Sequence, residues 1–209
     1  TLWGDRFRMA NEATDRAKIE RQADRIAAQE FSRPHGDAQE AVCLLSTTDH
    51  ACGPAADAME SLGRVVLLED EIGPSASHLL AALRRRGGER AQRMLCGYSP
   101  FSPYERLEQL IFPDLSLGFF TVNERLPAVK NPQRVINARR FTDREILAAC
   151  KSRIAFHRKA AKQMTLLAKE TLALAREEAD RIEQLYARAF CHERFELFCA
   201  RLCAELPEG

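Results

Sequence analysis

Between residues 2 and 31 charged side chains run throughout, and Ala10, Ala13, Ala17, Ala23, Ile26 and Ala27 recur at helical spacings without proline or, after Gly4, glycine. This pattern predicts one helix with a thin apolar stripe. Residues 32–37 (SRPHGD) break it as a linker. From Ala41 to Asn137 the texture changes to short apolar runs separated by turn residues. Strands are predicted at 41–45, 64–69, 93–96, 117–122 and 134–137, with helical stretches at 54–62, 75–86 and 104–111. The strand from Arg64 to Glu69 has a continuously apolar interior, Val65 to Leu68, that starts with two β-branched residues, as a central parallel strand should. Gly87 and Gly88 are expected to end the helix before them. Alternation of strand and helix argues for a parallel sheet with right-handed crossovers.

After Thr142 a different pattern begins. Thr142 and Glu145 have the spacing of a capping box, and no proline or glycine follows until Pro207. Ile146, Cys150, Ile154, His157, Ala161, Met164, Ala168, Leu172, Ala175, Ala179, Ile182 and Tyr186 recur in steps of three and four, a coiled-coil-like seam. Phe195, Phe198, Leu202 and Leu206 predict a last amphipathic helix. The expected organisation is an N-terminal helix (1–33), an α/β core (40–138) and a helical hairpin or coiled-coil-like appendage (141–207) packed on the N-terminal helix.

Composition narrows the function classes. The 209 residues are 45% hydrophobic, enough for a core, and carry a net charge of +1, which gives no electrostatic reason to expect nucleic acid or an anionic membrane as partner. Seven cysteines are scattered in mostly apolar surroundings without a C-x-x-C pair, and free thiols packed in a core are expected rather than a metal site. No apolar run reaches the roughly 20 residues of a membrane span and no signal-peptide core is present, so a cytoplasmic protein is expected. The first residue, Thr1, fits a piece of a longer polypeptide.

The chemistry concentrates where the strand at 64–69 meets the helix at 75–86. A phosphate-binding Walker A loop, G-x-x-x-x-G-K-[ST], uses glycines to expose backbone N–H groups, a lysine to neutralise phosphate and a hydroxyl for magnesium. On that frame Asp70 replaces the first glycine, Ser75 the second and Ala76 the lysine, while Gly73 and the hydroxyl of Ser77 remain. Gly73, Ser75 and Ser77 are therefore the candidate nucleotide-binding residues of a vestigial loop. A carboxylate about 4 Å from a phosphate costs about 1 kcal/mol in water and about 4 at an intermediate dielectric. The helix dipole returns only about 0.3 to 1 kcal/mol. Glu69, Asp70 and Glu71 thus oppose phosphate, and weak ATP–magnesium binding is the most the loop predicts. The metal-side acid of a Walker B strand is missing too, since the strand at 117–122 leads into Asn123 and Asp114 precedes it.

Other groupings carry less. Val65 to Asp70 looks like the first strand and acidic pair of a phospho-receiver domain, but no later strand ends in the aspartate such a domain needs. His50 lies in a loop and His157 on the apolar seam, and no catalytic triad or metal set assembles. Arg84, Arg85 and Arg86 read as a solvated helix end.

Residues 97–103 (GYSPFSP), 110–123 (LIFPDLSLGFFTVN), 134–137 (RVIN) and 175–186 (AREEADRIEQLY) resemble a family of bacterial ATPase-like proteins common in spore-forming Firmicutes, built from two tandem P-loop NTPase halves. The resemblance covers residues 40–206 and looks like the second half, with residues 1–31 as the helical end of the half before. It implies a P-loop NTPase-like parallel sheet core with a long helical C-terminal appendage. The family's lysine is Ala76 here, and its loop glycines are Asp70 and Ser75. The expectation is a degenerate, non-hydrolysing member with a structural or regulatory role, without catalytic or metal-ligating residues, partnered by another P-loop domain or a protein on the helical region. The alternatives are an ATP-binding NTPase using an atypical loop or partner-supplied residues, and a helical protein-interaction module.

Overall fold

The computed structural model describes residues 2–31, 40–44, 62–99, 105–122 and 132–205. Residues 54–61 of the predicted helix and Asn123 lie outside these residues. The chain forms two compact units, 1–162 and 163–209.

The first unit is mixed α/β. Helices α1 (Leu2–Glu12) and α2 (Arg16–Glu30) lead into β1 (Glu40–Leu44), β2 (Arg64–Glu69), α3 (Pro74–Glu89), β3 (Met94–Tyr98), β4 (Leu107–Phe112), β5 (Leu117–Val122), β6 (Arg134–Asn137) and the short α4 (Arg144–Ala149). Helix α5 (Lys151–Ala189) begins in this unit, and α6 (His192–Glu205) belongs to the second. The strands form one six-stranded sheet in the order β1-β3-β4-β5-β2-β6. Its neighbours are parallel except at β4, which runs antiparallel to both β3 and β5.

Alternation along β2 divides the core. Val66 and Leu68 join the main cluster with Ile19, Ala23 and Ile26 of α2 and Leu79, Leu80 and Leu83 of α3. Val65 and Leu67 face the other way, against Ile111 and Phe120. A strand apolar on both faces is the mark of a sheet interior, and β2 lies between β5 and β6.

The structure corrects several expectations. Residues 107–112 are a strand rather than a helical turn, because Glu108 and Gln109 are both buried in the sheet and disguise an otherwise apolar run. Buried Arg106, 3.2 Å from Glu108, compensates the carboxylate. A strand turned back between β3 and β5 also makes the sheet mostly, not wholly, parallel. Gly87 and Gly88 do not end α3. A Cβ at Gly87 would lie 2.7 Å from the Phe112 ring and 2.9 Å from the Met94 sulfur, so that glycine lets the helix sit close on β3 and β4. Arg84, Arg85 and Arg86 are not merely solvated: Arg84 pairs with Glu40, Arg85 with Glu20 and Arg86 with both Glu20 and Asp24.

The predicted N-terminal helix is two. It breaks at Thr14, and Asp15 restarts it by accepting the Lys18 N–H at 3.0 Å. Its stripe is buried along α3, and α1 also touches α4. The cap of α4 is Asp143, which accepts from Glu145 and Ile146, while Thr142 donates its hydroxyl to the Ala138 carbonyl. Cys150 then separates α4 from α5.

In the second unit the seam is not packed. Met164, Leu172, Ile182 and Tyr186 are exposed, as are Phe195, Phe198 and Leu202 of α6. Cys191 and Cys203 are exposed and Cys199 half-buried, so the core role expected of the cysteines holds for Cys96 but not for these.

Candidate functional site

Strand β2 ends at Glu69, in the interior of the sheet, and after four intervening residues α3 begins at Pro74. The carboxyl ends of β2, β5 and β6 open together on one edge, the place where open α/β sheets form a crevice. The crevice here has a volume of about 420 Å³. It is lined by Glu69, Asp70 and Val122 at the strand ends, by Asn137, Ala138 and Arg139 after β6, and by Ala10 and Thr14 of the N-terminal segment. Asn137 Nδ2 donates to Glu69 Oε2 at 3.1 Å and ties the ends of the two parallel strands together.

The loop from Asp70 to Gly73 is closed on itself. One oxygen of the Asp70 carboxylate accepts the N–H groups of Ile72 at 3.2 Å and Gly73 at 2.8 Å. The other accepts the N–H of Ala76 at 2.8 Å. These are amides at the start of a helix, the donors that an anion would take. Asp70 is only 8% exposed, so the protein's own carboxylate fills that position. The Asp70 carboxylate thus stands where these amides would otherwise hold a bound anion.

Two buried arginines hold the loop through its carbonyls. Arg6 of α1, 1% exposed, donates Nη2 to the Glu71 carbonyl at 2.5 Å. Arg106 donates Nη2 to the Ile72 carbonyl at 3.2 Å, lies over the Phe7 ring at 5.1 Å, and pairs with Glu108. Burying such charges is tolerated only with partners close by. Gly73 has φ of 106°, the left-handed region, and a Cβ there would stand 2.1 Å from Arg106 Nη2. Glycine is required at that position on both counts.

Of the three candidate residues, Gly73 is thus the turn and precedes α3 directly, Ser75 is buried and lines the crevice, and Ser77 is buried one turn into α3 without lining it. Ala76 is buried, with its N–H turned to Asp70. Glu71 forms an ion pair with Arg158 of α5. Asp114 pairs with Arg93 at 2.7 Å, away from the crevice.

Sequence reasoning missed Arg6, Arg106, Asn137, Arg139 and Thr142. Isolated arginines in a charged helix or loop carry no pattern, and their placement depends on tertiary contact. Near the loop, His78 of α3 is within 2.5 Å of Asn11 Oδ1, and burial, aided by the positive charge of Arg16, lowers its pKa. Among the described residues no group of three or more histidine, cysteine or carboxylate side chains gathers where a metal ion could be held. Among them also no helix is long and apolar enough to cross a membrane. No protein-family model matches the chain, and neither a curated protein nor a solved structure matches it.

Proposed function

We propose that this chain is a degenerate P-loop NTPase-like protein that does not hydrolyse nucleotide and acts as a structural or regulatory half beside a second P-loop domain. What supports the assignment to that family is the strand, loop and helix unit β2–α3 at the carboxyl edge of a mostly parallel sheet, together with the sequence resemblance. One observation carries the loss of activity: the Asp70 carboxylate takes the amides of Ile72, Gly73 and Ala76. A phosphate arriving at this loop meets satisfied donors, a fixed negative charge and, at Ala76, no lysine.

Calorimetric titration with ATP and magnesium tests the proposal, with an expected Kd above about 1 mM, a binding free energy weaker than about 4 kcal/mol. Restoring affinity requires Asp70→Gly, Ser75→Gly and Ala76→Lys together, since a lysine alone still faces a loop whose amides are occupied. Micromolar binding by the natural chain, lost on Ser77→Ala, would show an active nucleotide site and overturn the proposal.

A further inference from the structure

Helix α5 in the second unit exposes an ordered row of large and small side chains. Taken in heptads, the seam from 172 to 189 consists of Leu172, Ala175, Ala179, Ile182, Tyr186 and Ala189, and all six are exposed. Leu172, Ile182 and Tyr186 are 51%, 53% and 73% exposed, too much apolar surface on one stripe for a helix meant to face water.

We infer that this stripe is covered by the same stripe of a second copy, running antiparallel. Size complementarity supplies the first argument. Turned about a twofold axis between residues 180 and 181, the seam pairs Leu172 with Ala189, Ala175 with Tyr186 and Ala179 with Ile182 of the other copy. Every layer then joins a large side chain to an alanine, and the helices pack closely without voids. A parallel, in-register pair would stack tyrosine on tyrosine and alanine on alanine, leaving overfilled and empty layers in turn.

Charge supplies the second argument independently. Arg176 and Glu183 flank the seam on one side, and among the described residues neither makes an ion pair or side-chain hydrogen bond. In the antiparallel arrangement Arg176 of each copy faces Glu183 of the other, twice by symmetry. In the parallel one Glu178 faces Glu183 of the partner copy instead, a repulsion. Glu178 already has an intrahelical partner, Arg181 at 2.7 Å, and on the antiparallel flank it faces the uncharged Leu185.

Sedimentation velocity on the full chain, from 1 to 200 µM, reads the association directly. The expected result is a concentration-dependent shift from a 23.6 kDa monomer to a species of twice that mass. Glu183→Arg should raise the dimer Kd about tenfold, because two attractive pairs become repulsive. The exchange Arg176→Glu with Glu183→Arg should restore it. Ile182→Lys, at an exposed position where the helix itself has nothing to lose, should abolish the dimer with an unchanged circular dichroism spectrum. A chain that stays monomeric at 200 µM overturns the inference. Tightening by Glu183→Arg overturns the antiparallel pairing, because that change relieves only the parallel dimer.

Discussion

Replacing Asp70 by alanine empties the position that its carboxylate holds at the start of α3. The substitution leaves the N–H groups of Ile72, Gly73 and Ala76 without their acceptor in a setting where Asp70 itself is only 8% exposed. Losing the side-chain acceptor of a first-turn helix N–H, here that of Ala76, costs about as much as losing an N-cap, about 0.5 to 2 kcal/mol. A buried donor left unsatisfied costs about 1 to 3 kcal/mol. Water entering from the crevice recovers part of this, so a net loss of about 3 kcal/mol is expected. For a unit of this size that lowers Tm by about 6 to 12 °C. The amides left behind then form a site for an added anion, with Arg6 and Arg106 holding the loop through its carbonyls. Phosphate at 100 mM, binding with a Kd of about 10 mM, would return about 1.4 kcal/mol to the variant. The natural protein should gain only the general salting effect that phosphate has on any fold. Differential scanning fluorimetry of both proteins in phosphate and in chloride of equal ionic strength gives the comparison. Asp70→Asn separates charge from shape: one oxygen still serves Gly73, but its amide nitrogen would confront the N–H of Ala76, and a loss of about 2 kcal/mol follows. A loss below about 1 kcal/mol for the alanine variant, or equal phosphate responses in the two proteins, would refute the idea that Asp70 plays the anion.

Gly73→Ala should destabilise by more than about 2 kcal/mol in urea denaturation, combining a left-handed backbone with a clash against Arg106; a neutral effect would mean that Arg106 moves aside freely. His78 should make stability fall with acid. Its folded pKa lies below the ordinary 6.5, so the unfolded chain binds the extra proton, and stability is lost as pH drops through 6.5 toward the folded value. Between pH 7.5 and pH 5.5 the natural chain should lose more Tm than His78→Gln, and parallel curves would remove His78 as the cause.

Strands β2 and β5 were legible because each carries an apolar run, and β6 because Val135 and Ile136 follow the same alternation of strand and helix; the structure places them at 64–69, 117–122 and 134–137. β4 was hidden by Glu108 and Gln109, and the burial of Glu108 becomes sensible only once Arg106 stands beside it. The glycine pair at 87–88 misled in the opposite direction, since glycine serves close approach as well as termination, and only the position of Phe112 distinguishes the two. At the site, the departure from a phosphate-binding motif was visible in Asp70 and Ala76. The carboxylate's bonds to three following amides were not, because the same residue types would equally suit a carboxylate turned toward solvent. Likewise the periodicity of residues 146–186 located the seam without naming what covers it.

Thr14 and Thr142 bridge in antiparallel fashion, with Asp15 N–H donating to the Phe141 carbonyl and Asp143 N–H to the Ala13 carbonyl, each at 2.7 Å. Chain-order kinetics follow from this clasp. It joins the opposite ends of the α/β unit, so closing it before the sheet exists would mean paying the loop entropy of nearly the whole unit for two hydrogen bonds. Once β6 has docked beside β2, residue 142 is carried to its partner at almost no further entropic cost. On this reasoning the clasp closes late and opens early, and its opening should release α1 and α4 together while the sheet stays intact. Hydrogen exchange at Asp15 and Asp143 should share one opening rate, faster than that of the amides in β2.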